Sequence, residues 1–147
     1  MLTAGWVCNR EVHFADPEEP VRAVAARMRD RGVGALLVLD EERIPVGIVT
    51  DRDLLVRVLA AGRDPDRTTL AEVMTRRPHV VHEETPLEEV LALMRDACLR
   101  RAPVVDRDGR LQGIVTLDDV HALLADQLAV ASQVLASQTP ARVVVAR

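Results

Sequence analysis

A repeat of 66 residues constrains this chain more than any other feature of its sequence. Shifted by 66 positions, the chain aligns with itself without a gap, and 13 of the 34 positions from Pro20 to Asp53 match those from Pro86 to Asp119. The two segments therefore read as copies of one unit. Two copies are too few for a solenoid, so the repeat predicts two units that close on each other about a pseudo-twofold axis.

The apolar pattern predicts the same order of elements, β-α-β-β-α, in both copies. In the first copy it predicts strands over 12–14, 35–39 and 46–50, and helices over 20–31 and 51–61. In the second copy it predicts a short helix over 70–74, strands over 79–82, 102–106 and 111–116, and helices over 86–98 and from 118 onward. The predicted fold class is therefore α/β (α+β), with two sheets packed face to face.

The domain boundaries follow from the repeat. We expect residues 1–66 to form the first repeat, residues 67–137 the second repeat with its extended last helix, and residues 138–147 a short C-terminal tail. Residues 1–10, called the lead-in below, are expected to form a short helix or an extended arm packed on the core. The alternative for the lead-in is an exposed Trp6 that anchors a partner.

The last helix breaks the symmetry between the copies. Its counterpart stops at Gly62, whereas position 128 is Leu and the apolar pattern continues through Leu135. Such a stripe packs either on its own domain or on a second copy of the chain. A homodimer is therefore a predicted assembly.

Composition argues against several classes of partner. The formal net charge is −4, and the chain has one Trp, one Phe and no Tyr, so a nucleic-acid platform is not expected. No apolar run approaches the length of a membrane span, and residues 1–12 lack the apolar core of a secretory signal. The two cysteines form no framework, which favours a reducing, cytoplasmic setting without membrane contact.

The four histidines give no metal-ligand pattern. They stand with two isolated cysteines at spacings that no common zinc motif uses, so no metal is predicted. His13 and His79 are equivalent under the repeat, and we interpret both as solvated or hydrogen-bonded residues rather than ligands. The chain also lacks a nucleophile–base pair and a phosphate-cradling glycine loop, so an enzyme is not predicted.

Each copy places a Thr-x-x-Asp pattern where a buried strand meets a helix. The two phrases are Gly47-Ile48-Val49-Thr50-Asp51-Arg52-Asp53 and Gly113-Ile114-Val115-Thr116-Leu117-Asp118-Asp119. One interpretation is purely structural, because the Thr caps the helix and the Asp completes the cap. The other is functional, because helix N-termini bind phosphate and a carboxylate beside them accepts ribose hydroxyls. The two interpretations are compatible.

These phrases resemble the CBS domain, and their tandem arrangement resembles a Bateman module. Val73-Met74-Thr75 and Ala102-Pro103-Val104-Val105-Asp106 add to the resemblance, which covers about residues 6–130. It implies two clefts between sheets packed face to face. It also implies an adenosine derivative (AMP, ADP, ATP or S-adenosylmethionine) as a regulatory ligand, with no required cofactor.

The resemblance assigns candidate ligand-binding residues position by position. It implies that Asp53 and Asp119 hold ribose, and that Thr50 and Thr116 lie near ribose or phosphate. The family's phosphate-binding positions correspond to Arg100 and Arg101, whereas the first copy has Gly34 and Ala35 there and would depend on Arg52 or Arg76. The expected adenine contacts are Ala35, Leu36, Val80, Ala102 and Pro103. We expect one cleft to dominate.

Two functional hypotheses follow. In the first, the chain is a stand-alone regulatory module that binds an adenosine derivative and signals its occupancy to an effector protein not identifiable from the sequence. In the second, it is a dimeric scaffold or interaction protein whose Thr-x-x-Asp junctions are only helix caps and whose last helix forms the contact. The effect of nucleotides on the protein and the effect of removing the last helix distinguish them.

Overall fold

The computed structural model describes residues 1–138, and the rest of the predicted tail lies outside the described residues. Within these described residues, seven strands and six α-helices follow in chain order. The strands are β1 (Phe14–Ala15), β2 (Ala35–Leu39), β3 (Pro45–Thr50), β4 (Thr75–Arg76), β5 (Val81–His82), β6 (Arg101–Val105) and β7 (Leu111–Thr116). The helices are α1 (Ala4–Val7), α2 (Val21–Arg31), α3 (Asp51–Leu54), α4 (Leu70–Val73), α5 (Leu87–Asp96) and α6 (Leu117–Ser137).

The two repeats form two sheets with matching topology. The first sheet has the order β1-β2-β3-β4 and the second the order β5-β6-β7. In each, a two-residue edge strand runs parallel to the next strand, which then pairs antiparallel with its hairpin partner. The predicted α/β fold class and its duplicated unit are confirmed.

The two sheets face each other across a shared apolar layer. Leu37 and Leu39 of β2 and Leu111 of β7 are buried there, with Ile48 and Ile114 packed against them. Helices cover the other face of each sheet, which gives each repeat a separate core. Alternation along the strands produces this arrangement, because successive side chains point to opposite faces of a sheet.

The segment that precedes each repeat packs on the other repeat. Strand β4 pairs with β3, with Thr75 opposite Ile48, and α4 contributes Leu70 and Val73 to the first core. The lead-in makes the equivalent contacts on the second sheet, where Asn9 lies opposite Ile114. The lead-in is therefore a packed element, as predicted, although it packs on the second repeat; its Trp6 side chain is 70% exposed.

The helices after the two junctions differ in length and winding. The helix predicted over 51–61 is α-helical only at α3 and continues as a π-helical turn over Leu55–Leu59. Its counterpart α6 is α-helical for 21 residues, which confirms the extended last helix. No helix within residues 1–138 is both long enough and apolar enough to cross a membrane.

Candidate functional site

The candidate site is a cleft between the two sheets, with a cavity of about 140 Å³. It lies where the chain entering β1, strand β2 and the ends of β6 and β7 meet. It is lined by Glu11, Val12, His13, Val33, Ala35, Leu36, Leu37, Ile48, Arg101, Ile114 and Thr116. Both repeats therefore contribute to it, and the second repeat supplies its arginine and its threonine.

Thr116 both caps α6 and reaches into the cleft. Its Oγ1 accepts from the backbone N–H of Asp119 at 3.1 Å and donates to Asp119 Oδ2 at 2.6 Å. The Asp119 residue is exposed, and apart from Thr116 no partner of its carboxylate is found within residues 1–138. A carboxylate in this state retains lone pairs that can accept further hydrogen bonds.

At the first junction, called the closed junction below, the Asp53 carboxylate is bound by partners within its own repeat. Thr50 and Asp53 form a reciprocal capping box, in which Asp53 Oδ2 accepts from the Thr50 N–H at 2.9 Å. Arg57, one turn later, lies 3.6 Å from Asp53 Oδ1, and the Asp53 side chain is 17% exposed. The equivalent of Arg57 in the second repeat is Leu123. The cap interpretation therefore describes Asp53 fully, whereas it leaves Asp119 with free acceptor sites.

The four candidate arginines separate in the structure. Arg101 lines the cleft beside Thr116, its partner in the β6–β7 pairing. Arg100 instead turns to the surface, where its guanidinium lies 2.9 Å from Asp118. Arg52 is exposed on the first turn of α3, and Arg76 donates to the backbone carbonyl of Ala71.

The five predicted adenine contacts also divide. Ala35 and Leu36 line the cleft. Ala102 is fully buried in the second core, Pro103 is buried within β6, and Val80 is 39% exposed before β5. The structure therefore brings Ala35 and Leu36 together with Arg101 and Thr116 in this cavity. The other three predicted adenine contacts, Ala102, Pro103 and Val80, lie outside it.

Sequence reasoning missed the chain that enters β1. Glu11, Val12 and His13 form one wall of the cleft, and His13 had been interpreted only as a solvated or hydrogen-bonded residue. The signal in the sequence that pointed to His13 was its equivalence with His79 under the 66-residue repeat. Within residues 1–138, no group of three or more His, Cys, Asp or Glu side chains is placed to hold a metal ion.

A family model described as the CBS domain matches residues 7–60 and again residues 70–126. The chain therefore belongs to the CBS-domain family, as a tandem pair of these domains. Hypoxic response protein 1 of Mycobacterium tuberculosis is 34% identical over 120 residues, which are 82% of this chain and 83% of that protein.

Two further relatives extend the comparison. Protein MK0525 of Methanopyrus kandleri is 35% identical over 119 residues, and the aligned part spans 81% of this chain but only 61% of MK0525. Among solved structures, the CBS domain pair of protein MJ0100 superposes with a TM-score of 0.73 at 26% identity, covering 86% of this chain and 98% of that one. That pair was crystallised in complex with 5′-methylthioadenosine and S-adenosyl-L-methionine.

Proposed function

We propose that this CBS domain pair is a regulatory module that binds an adenosine derivative in the cleft between its repeats and signals the occupancy to a partner protein. The observation that carries the proposal is the arrangement at the second junction. There Thr116 and Arg101 line one cavity, and the Asp119 carboxylate is exposed beside them. The adenosine ligands of the MJ0100 pair support the ligand class.

Each residue has a role that its chemistry suits. Asp119 accepts hydrogen bonds from ribose hydroxyls, because Thr116 occupies only part of the acceptor capacity of its carboxylate oxygens. Arg101 offers a planar fork of donors to a phosphate or another anionic group. The aliphatic walls at Ala35 and Leu36 exclude water from one face of the adenine ring.

Calorimetric titration of the full chain with AMP, ADP, ATP, S-adenosylmethionine and 5′-methylthioadenosine tests the proposal. We expect at least one to bind saturably. Asp119→Asn, which preserves the side-chain shape, should weaken that ligand by about tenfold or more, since a hydrogen bond to a charged group contributes about 1.5–3 kcal/mol.

The repeat supplies a matched control. Asp53→Asn makes the same chemical change at the closed junction, so its effect should appear in stability and leave affinity within about twofold. Absence of binding by all five compounds at millimolar concentration would overturn the proposal. Equal effects of the two substitutions would overturn the assignment of the site to the second junction.

The scaffold hypothesis retains one specific observation in its favour. Helix α6 exposes a stripe that includes Leu128 and Leu135, which are 70% and 73% exposed. A homodimer that covers this stripe is compatible with ligand binding. It becomes the main function only if nucleotides leave both the thermal stability and the oligomeric mass of the chain unchanged.

A further inference from the structure

The helical segment that follows the closed junction directs one arginine back towards it. Arg57 lies in the π-helical turn over Leu55–Leu59, whereas the equivalent part of α6 is regularly α-helical. Single π-helical turns within helices are frequent at functional sites. From this turn the Arg57 guanidinium contacts both the junction and the segment that carries α4 and β4.

Three contacts hold the Arg57 guanidinium in place. Its Nη1 donates to the backbone carbonyl of Val73 at 2.7 Å and to Thr75 Oγ1 at 3.2 Å. Its Nη2 lies 3.6 Å from Asp53 Oδ1. Because a guanidinium presents its donors in a rigid planar fork, the two bonds to α4 and β4 fix the orientation of the group that faces Asp53. The positive charge at the closed junction is therefore anchored there by the fold.

The carboxylate of Asp53 has little room for another partner. Its Oδ2 accepts from the Thr50 N–H at 2.9 Å, its Oδ1 faces Arg57, and the side chain is only 17% exposed. A ligand hydroxyl that needs this carboxylate has to compete with an ion pair already formed within the chain. Displacing Arg57 would also break its bonds to Val73 and Thr75, because one rigid group makes all three contacts.

The second junction has the carboxylate without the arginine. Leu123 stands at the position equivalent to Arg57, and Asn9 at the position equivalent to Thr75. The Asn9 side chain accepts from the backbone N–H of Glu11 at 2.9 Å, within the lead-in. The residue whose change removes the cation from the second junction is therefore Leu123.

We propose that Arg57 is an autoinhibitory latch, an internal cation that occupies the Asp53 carboxylate and withholds the closed junction from external ligands. The chain then binds a single adenosine derivative, at the second junction. The ligand part of this inference rests on the proposed function. The closure of Asp53 by Arg57 does not, and it is measured without any ligand.

Carboxyl labelling with a water-soluble carbodiimide and glycine ethyl ester, read by mass spectrometry on the full chain, tests the latch. In wild type, Asp119 should be labelled faster than Asp53. Arg57→Leu, which introduces the residue found in the second repeat, should speed labelling of Asp53 by about threefold or more and leave Asp119 unchanged, as expected for loss of an ion pair. Arg57→Gln removes the same charge, keeps a donor for the Val73 carbonyl and should give the same increase.

The control removes a charge from the same helix without touching the latch. Arg52 is exposed and one residue from Asp53, and it forms no ion pair within residues 1–138, so Arg52→Leu should leave the labelling of Asp53 unchanged. Thermal unfolding of each variant shows that it is folded. If both substitutions of Arg57 leave Asp53 as slow as in wild type, or if Arg52→Leu has the same effect, the latch is wrong while the proposed function stands.

Calorimetric titration with the five adenosine compounds then tests the exclusion of ligand. Wild type should bind a single ligand per chain, and Arg57→Leu should bind a second one. Two ligands bound by wild type, or a single ligand still bound by Arg57→Leu, would overturn the inference and leave the proposed function intact. If wild type binds none of the five, the proposed function fails; saturable binding by Arg57→Leu alone would still support the latch, and no binding by either protein overturns both.

Discussion

Gly113 lies where the lead-in passes close to the second sheet. A Cβ at this position would lie 2.7 Å from both the Asn9 carbonyl oxygen and Cys8 Sγ. Its repeat equivalent, Gly47, faces mainly the flexible Met74 side chain, whose Sδ is the atom nearest to such a Cβ. The same glycine is thus required in both copies for different reasons, a backbone contact in one and a movable side chain in the other.

We expect Gly113→Ala to destabilise the protein by about 1–3 kcal/mol, because a backbone carbonyl cannot move aside without breaking the Asn9–Ile114 pairing. Gly47→Ala should cost less, since Met74 can change rotamer. Urea denaturation of both variants measures the difference. Equal losses would show that the close approach to Asn9 does not determine the cost.

The half-buried ion pair between Glu19 and Arg27 should make stability depend on pH. The hydrogen bond from Arg27 holds the pKa of Glu19 below its ordinary value of 4.5, against the opposing effect of burial. Because the pKa of Glu19 is lower in the folded state than in the unfolded state, its ionised carboxylate stabilises the folded state at pH values above 4.5. This stabilisation is lost as pH falls through the pKa that Glu19 has in the folded state.

Arg27→Gln should therefore lower the free energy of unfolding at pH 7, and its difference from wild type should narrow as pH falls below 4.5. Chemical denaturation across this range measures the effect. Arg67→Gln is the control, because Arg67 and Asp64 form a highly exposed pair at 3.8 Å whose loss should change stability by less than about 0.5 kcal/mol. A difference for Arg27→Gln that stays constant with pH would contradict this account.

The Thr-x-x-Asp pattern itself is the same at both junctions, but the structure distinguishes them. The deciding residue, Arg57, stands four positions after Asp53, a spacing that predicts an ion pair on a helix, while Leu123 replaces it in the second copy. That distinction was available from the sequence. The burial of Ala102 was not, because it depends on which face of β6 meets the helices.

At the level of elements, the lead-in is a structural part of the second repeat. Ala4 is fully buried in that core, and backbone bonds join Ala4 to Thr85, Gly5 to Glu83 and Asn9 to Ile114 at 2.8–2.9 Å. Helix α4 and strand β4 make the corresponding contacts with the first repeat.

Deleting residues 1–9 should expose the second core and weaken that half selectively. Hydrogen–deuterium exchange followed by mass spectrometry should show faster exchange in β6 and β7, with β2 and β3 changed much less. Replacing Trp6 with Ser is a control within the same segment, since this side chain is 70% exposed and contributes little packing. Uniform loss of protection across both sheets would mean that the halves unfold together.

The sequence predicted most element positions, but not that β4 pairs with β3 of the first repeat and Asn9 of the lead-in with Ile114 of the second. Strands 35–39 and 111–116 are where the apolar runs indicate, since buried strands read as continuous or alternating β-branched segments. The edge strands are shorter than predicted, because only two residues of each, such as Phe14 and Ala15, pair with a neighbour. The π-helical turn over Leu55–Leu59 has no counterpart in the apolar period.

At the scale of the whole molecule, apolar side chains are exposed at two places on the helices. Leu55 and Leu59 are exposed beside a groove of about 640 Å³ between α2 and α3, and the stripe on α6 is exposed as well. Contiguous apolar side chains on an exposed helix face are typical of protein–protein contact sites. We therefore propose that the chain assembles into a homodimer through its helices, as the length of α6 suggests.

Replacing Leu128 and Leu135 together by Glu should shift a dimer to monomer, since two charges would be buried at the contact. Light scattering coupled to size-exclusion chromatography measures the mass. The control introduces the same charges at Ala129 and Gln133, on the opposite face of α6, and should leave the mass unchanged. A wild-type chain that is monomeric at high micromolar concentration would contradict the proposed dimer.

The lead-in precedes the first repeat but packs on the second, and this arrangement determines how the two halves are connected. Residues 10–76 carry the first sheet and everything that completes it, whereas the second sheet is completed by residues at the start of the chain. In connectivity, the first half is an insertion within the second. Because the ribosome synthesises the chain from its N-terminus, the first half can fold before the second half has been made. The lead-in can pack only after β7 has been synthesised, because β7 belongs to the surface that it contacts.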